Sequence, residues 1–430
     1  MTKTAEQSTE ILSGEGTSSK NQSGCRFCGA ALEHTFVDLG ASPLAQSFLS
    51  LEQLSQMEPF YPLHVYVCGK CFLVQLQEFV APENIFSDYL YFASYSDSWL
   101  AHAKAYTELM VERFAINEKS LVVEIASNDG YLLQYFVEKK IPVLGVEPAA
   151  NVAAVAVQKG IPSLVKFFNS DTARELVAKG QSADLILGNN VLAHVPDINN
   201  FVAGMKILLK PTGVITMEFP HLMRLMAENQ FDTIYHEHFS YFSFFAVERI
   251  FASHGLTLFD VQELPTHGGS LRIFARHTED ASKPVEPRVT ELRAREQSAG
   301  FDQLETYSRF AEQVKETKRK LLEFLIHAKQ SGKKIAAYGA AAKGNTLLNY
   351  CGVRTDFIDY VVDRSPYKQG KLLPGVRIPI YAPEHIRETR PDYLLILPWN
   401  LKDEIIKSNA CLREWGGQFV VPVPEVKVYK

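Results

Sequence analysis

Between residues 121 and 278 short apolar runs alternate with stretches whose apolar residues recur at helical spacing. The runs 121–125, 143–146, 185–187 and 214–217 are continuous rather than alternating. Continuous apolar runs are the mark of strands buried on both faces. The stretches 131–139, 150–159 and 198–209 carry the helical spacing. Together they predict parallel strands joined by crossover helices. The pattern returns after residue 334, with strands expected at 335–338, 357–362, 393–397 and 419–421. Between these units the chain turns polar over 278–299, through Lys283, Glu286, Arg288, Glu291, Arg293, Arg295 and Glu296, which reads as a connector. One long amphipathic helix is expected over 304–329, its apolar face formed by residues such as Tyr307, Phe310, Val314, Leu321, Leu322 and Leu325. Upstream, 82–111 is aromatic (Phe86, Tyr89, Tyr91, Phe92, Tyr95, Trp99) and reads mainly as a helical packing surface. The fold class is therefore α/β, with two Rossmann-like units.

Composition changes this picture little. A chain of 430 residues exceeds one core. Its 46% hydrophobic and 22% charged residues are ordinary for a globular protein. A net charge of −5 offers no basic field for nucleic acid or anionic membrane, and no apolar run reaches the roughly 20 residues of a bilayer span. Residues 1–23 lack the apolar core of a signal peptide and read as a disordered tail, so the expected setting is cytoplasmic.

The six cysteines change it more. Four form two CxxC pairs, Cys25/Cys28 and Cys68/Cys71. Such pairs predict one tetrahedral structural zinc, whose four thiolates leave no open position for chemistry. Two disulfides or four buried thiols are the alternatives, and sparse cysteine without a secretory signal disfavours them. The predicted domains are a zinc-binding module (24–80), a cofactor domain (81–278), a linker and long helix (279–330) and a C-terminal α/β domain (331–430).

The first strand ends in Glu124-Ile-Ala-Ser127-Asn128-Asp129-Gly130. A turn at the carboxyl end of such a strand is where nucleotide-type ligands sit. It has one glycine, so the GxGxxG cradle for a pyrophosphate is missing. The second strand ends in Glu147, placed to accept both hydroxyls of a ribose. Ribose without pyrophosphate fits S-adenosylmethionine and a class I methyltransferase domain. Asn190 and His194, just past the third strand, face the same crevice.

Tyr235-His236-Glu237-His238 groups four proton-transfer side chains. Its histidines lack the HExxH gap, which disfavours a catalytic metal. If the segment is extended, His236 and His238 share a face; if it is a helical turn, Tyr235 and His238 do. Further on, Tyr338-Gly-Ala-Ala-Ala-Lys343-Gly-Asn345 joins a strand to a helix, with small residues that admit an anion to backbone N–H groups. His267-Gly-Gly-Ser-Leu-Arg272 is either a glycine turn or a polar loop facing substrate.

This order of motifs, from CxxC…CxxC through EIASNDG, HVPD, YHEHFSYFS and HGGSLR to YGAAAKGN, resembles the sugar C-methyltransferases that act on dTDP-4-keto-deoxysugars. The resemblance runs from Cys25 to the C-terminus. It implies a zinc module, an S-adenosylmethionine domain and a C-terminal domain holding the nucleotide sugar. It puts Tyr235, Glu237, His238 and His194 in the catalytic centre. His238 is the expected base at sugar carbon 3, with Tyr235 tuning or relaying and His194 donating to the enolate oxygen. Tyr89, Lys343, Asn345 and Arg272 are the expected substrate contacts. The expected partner is a small molecule, and the expected state is a monomer. Two alternatives remain at this level. One is an NAD-dependent nucleotide-sugar epimerase or reductase. The other is a non-catalytic zinc-ribbon binding protein with a degenerate methyltransferase domain.

Overall fold

The computed structural model describes residues 24–81 and 92–430. Phe86, Tyr89 and Tyr91 lie outside the described residues. Three sheets organise the chain. The first has four antiparallel strands in the order His34–Ser42, Tyr61–Val67, Val74–Leu76 and Ser240–Tyr241. In Tyr61–Val67, Leu63, Val65 and Val67 are buried while the residues between are not, the two-residue period of a one-sided sheet. Its last strand comes from far along the chain, inside the YHEHFSY motif.

The second sheet has seven strands, in the order Leu256–Leu264, Ser270–His277, Leu209–Pro220, Ala183–Asn189, Val122–Ile125, Val143–Val146 and Ser163–Leu164. The last five are parallel, as the apolar runs predict. Ser270–His277 is antiparallel to both neighbours. Strand order reverses beside Val122–Ile125, so the crevice beyond its carboxyl end is the ligand position of such a sheet. The third sheet runs Ile380–Tyr381, Val361–Val362, Ile335–Tyr338, Tyr393–Ile396, Gln418–Val421 and Lys427–Tyr429, with only the last strand antiparallel.

Three expectations are corrected. The polar connector contains a helix, Pro287–Ser298, with proline in its first turn. Its buried face is only Val289, Leu292 and Glu296. The Glu296 carboxylate accepts the backbone N–H groups of Phe244 and Phe245, both at 2.8 Å, and meets His221 Nε2 at 2.6 Å. It thus caps the Phe244–Ser253 helix at its positive end. The long helix is two, Leu304–Ser308 and Phe310–Gln330. The Ser308 hydroxyl bonds back to the Glu305 carbonyl at the break. The strand expected at 357–362 is only Val361–Val362, because Phe357 closes a turn on the Arg354 carbonyl.

The cores cross domain boundaries. Phe36 of the first sheet stacks on Phe310 with ring centres 4.7 Å apart, in one cluster with Leu395 of the third sheet and Leu347 of the helix Ala342–Cys351. Among the described residues no helix is long and apolar enough to cross a membrane.

Candidate active site

Two tight turns build the metal site. Gly29 N–H bonds the Cys25 carbonyl at 2.8 Å, and Phe72 N–H bonds the Cys68 carbonyl at 2.9 Å. The four sulfurs all lie within 4.8 Å of one another, with Cys25–Cys71 and Cys28–Cys68 each at 3.5 Å. Four thiolates around one zinc would stand about 3.8 Å apart, so the residues fit the ion. Neighbouring Cys71 and the Gln75 amide, 3.1 Å away, favour the thiolate at Cys25.

The cofactor turn follows Val122–Ile125. Ala126, Asn128 and Gly130 all take positive φ (57°, 49° and 77°). A Cβ at Gly130 would collide with Ile161. Glu147 supports the turn: its Oε2 accepts Asn128 N–H at 3.0 Å and its Oε1 accepts Ala149 N–H at 2.9 Å. Each oxygen keeps a second lone pair. Gly145 leaves room that a Cβ would take from the Ser127 hydroxyl. Ser127 Oγ, Asp129 Oδ1 and Asn190 Oδ1 are buried and have no hydrogen-bond partner among the described residues. The other Asp129 oxygen is engaged by Ser94 and by Lys159, the latter at 3.3 Å. Unpaired acceptors suit a ligand that arrives with an ammonium group and ribose hydroxyls, and S-adenosylmethionine has both. Glu124 is fully buried below the turn. Burial pushes its carboxyl well up, against the pull of the Tyr131 hydroxyl.

Tyr235 to His238 form a turn, closed by His238 N–H on the Tyr235 carbonyl at 2.9 Å. Of the two geometries open at the sequence level, this is the helical-turn one, and it stacks Tyr235 and His238 with ring centres 4.1 Å apart. His236 turns the other way, its Nε2 3.3 and 3.2 Å from the carbonyls of Tyr61 and Pro62 in the first sheet. His238 Nδ1 lies 2.9 Å from the Thr233 carbonyl. A carbonyl only accepts, so Nδ1 carries the hydrogen and Nε2 keeps its lone pair. Burial, then the nearby His194, pushes the His238 pKa well below the imidazole range.

The His194 ring stands 4.7 Å from His238, edge to face. Burial lowers its pKa to about 4, with the Glu237 backbone opposing, so the ring beside His238 is neutral. Burial raises Glu237 to about 7.

The third sheet closes the site from the other side. The Ala342–Cys351 helix brings Lys343, whose Nζ bonds Asn400 Oδ1 at 2.9 Å and lies 4.6 Å from the centre of the Trp399 ring. Trp399 donates its indole N–H to Asp232 at 2.7 Å. Asn345 is buried, its amide nitrogen without a partner among the described residues. Arg272 is held inside the fold, 3.0 Å from Glu218, 3.2 Å from Gln262 and over the Tyr106 ring at 4.7 Å. These contacts hold it against the wall formed by Glu218 and Tyr106. Asp232, His267 and Trp399 belong to the site and were not among the expected residues. His267 meets Asn190 at 3.0 Å from a turn with positive φ of 54°. Its HGGS motif was the available signal.

A five-strand parallel core with an antiparallel hairpin, unpaired acceptors at the switch point and a neutral buried histidine one loop away fit an S-adenosylmethionine-dependent methyltransferase of class I. Three family descriptions match in order: a zinc binding domain over residues 25–86, a methyltransferase domain over 99–261, and the C-methyltransferase C-terminal domain over 265–424. The C-methyltransferase NovU of Streptomyces niveus is 39% identical over 404 residues, 94% of this chain and 96% of that one. The chain belongs to this C-methyltransferase family, which displaces both alternatives left by the sequence. A ubiquinone biosynthesis O-methyltransferase of Rhodopseudomonas palustris is 28% identical over 113 residues, covering 24% of this chain and 44% of that enzyme. The 1,6-didemethyltoxoflavin-N1-methyltransferase structure from Burkholderia thailandensis is 18% identical and covers 48% of this chain and 95% of its own, with a TM-score of 0.35.

Proposed function

We propose that the protein methylates carbon 3 of a dTDP-4-keto-deoxysugar, and that His238 forms the enolate by removing the carbon 3 proton. The observation that supports this reading is the His238 tautomer: Nδ1 is held by the Thr233 carbonyl, and burial keeps the ring neutral with Nε2 as acceptor. A carbon nucleophile next to a ketone needs such a neutral base together with help for the developing oxyanion. S-adenosylmethionine supplies the electrophilic methyl group when bound, with Ser127, Asp129, Glu147 and Asn190 as its polar contacts. Asn128 and Gly130 give that turn its shape, and Glu124 backs it. Zinc, on Cys25, Cys28, Cys68 and Cys71, is structural. Tyr235 lies against the base and tunes it or relays its proton; Glu237, adjoining both, is the remaining titratable group of the motif. Asn345 and Tyr89 are the proposed contacts to the nucleotide sugar. The enzyme acts as a cytoplasmic monomer.

Proton exchange tests this without a methyl donor. In deuterated water the wild-type protein should exchange the carbon 3 proton of a dTDP-4-keto-deoxysugar, followed by proton NMR. His238→Asn should slow both exchange and methyl transfer by about 10²–10⁴, the usual worth of a general base. Exchange at the normal rate in that variant would assign the base elsewhere.

A further inference from the structure

The ketone oxygen needs a source of positive charge, and the neutral His194 ring carries none. Building on the enolisation proposed above, we infer that Lys343 is a catalytic residue whose ammonium stabilises the oxyanion that forms at carbon 4. In that step the C3–H bond breaks and its proton passes to His238 Nε2. The bonding pair becomes the C3–C4 π bond, and the carbonyl π pair moves onto the oxygen.

Several contacts place an amine on this side of the base. Lys343 opens the Ala342–Cys351 helix, and three residues on Thr346 donates its hydroxyl to the Ile234 carbonyl at 2.8 Å. Ile234 immediately precedes Tyr235. Trp399, under the Lys343 amine, bonds Asp232, which immediately precedes the residue holding His238. His238 and the Lys343 segment are thus both registered against the same few residues, 232–234. Asn400 takes one ammonium hydrogen and the Trp399 ring faces the group, leaving donor capacity for a ligand. Asp232 Oδ1 is buried without a hydrogen-bond partner among the described residues, and when ionised this carboxylate favours the charged amine.

The titratable groups around Lys343 are Asp232 from the Phe231–Thr233 turn and two histidines, His238 and His267, both kept neutral by burial. Trp399 and Asn400 add neutral contacts from the next loop. Burial lowers Lys343 to about 8, with Asp232 opposing, and raises Asp232 to about 7, with Lys343 opposing. An ammonium this acidic is a better hydrogen-bond donor to an oxyanion than an ordinary lysine. A bare phosphate anchor has no need of that tuning.

The test uses the full-length zinc-loaded protein and dTDP-4-keto-6-deoxyglucose, with exchange at carbon 3 as readout. Lys343→Met should lower the exchange rate constant by about 10²–10³, as for loss of one oxyanion donor. The sugar-nucleotide KM should stay within about threefold of wild type, since the lost contact belongs to the transition state. Unchanged S-adenosylmethionine affinity would show that the variant is folded. Lys343→Arg should recover part of the rate. The wild-type profile should decline above about pH 8, and Lys343→Arg should remove that decline. Asp232→Asn, which deletes the charge that raises the lysine pKa, should move the decline to lower pH. Normal exchange with a raised KM in Lys343→Met would overturn the inference and make the lysine a diphosphate anchor. A decline that does not move in Lys343→Arg would overturn it too. Absence of exchange in the wild type would instead remove the enolisation reading itself.

Discussion

A buried imidazole is tolerable while it stays neutral, and at His238 that requirement coincides with what a base needs. Because the native pKa lies well below the ordinary value of about 6.5, the unprotonated form persists as the solution is acidified. The exchange rate should therefore show no acid limb between about pH 6 and 7, the range an unperturbed histidine would give. Stability behaves differently. His194 is held to about 4 in the fold, so below about 6.5 the unfolded chain binds a proton that the native chain refuses. Thermal stability should fall as pH drops from about 6.5 toward about 4. In His194→Asn part of that slope should disappear, read by calorimetry across the same range. Tyr235→Phe should cost less exchange activity than His238→Asn, since it removes a hydroxyl from the ring beside the base and leaves the base itself. A Tyr235→Phe loss as deep as that of His238→Asn would make the tyrosine an obligatory proton carrier.

At the scale of elements, the cofactor turn depends on backbone shape as much as on side chains. Gly130 combines positive φ with a neighbour, Ile161, that leaves no space for a Cβ. Gly130→Ala should abolish measurable S-adenosylmethionine binding in calorimetry, because the turn cannot keep its path. Glu147→Ala should weaken the same binding by about 1.5–3 kcal/mol, the range for a hydrogen bond to a charged group. Unchanged affinity would mean that the ribose is held by other groups. The parallel strands were legible because both their faces are buried, which leaves apolar runs such as 185–187. The Pro287–Ser298 helix was not. Its inward face includes Glu296, and a buried carboxylate that caps another helix looks in the sequence like a solvated charge. The Leu256–Leu264 and Ser270–His277 hairpin was also passed over, although HGGS marked its turn. In the site, YHEH was legible by its density of titratable groups. Asp232 and Trp399 were not, since they become a pair only across 167 residues of chain.

For the whole molecule, zinc and catalysis are predicted to fail together. Purified protein should contain about one zinc per chain by atomic absorption, and Cys68→Ser should release it and lower the melting temperature. The same variant should lose carbon 3 exchange while keeping S-adenosylmethionine binding, because the cofactor turn stands on the second sheet. Retained exchange in a zinc-free variant would show that the module is dispensable to the site. The coupling runs through the Ser240–Tyr241 strand, which completes the sheet of the zinc module, two residues beyond His238. This has a consequence for how such a protein can change over time. A boundary that runs through a sheet resists exchange of parts, since a transplanted methyltransferase segment would bring an edge cut for another module's sheet. The three family regions should therefore be inherited together. New substrates should arise by substitution in place, around the 232–241 segment that the first sheet, Thr346 and Trp399 all contact.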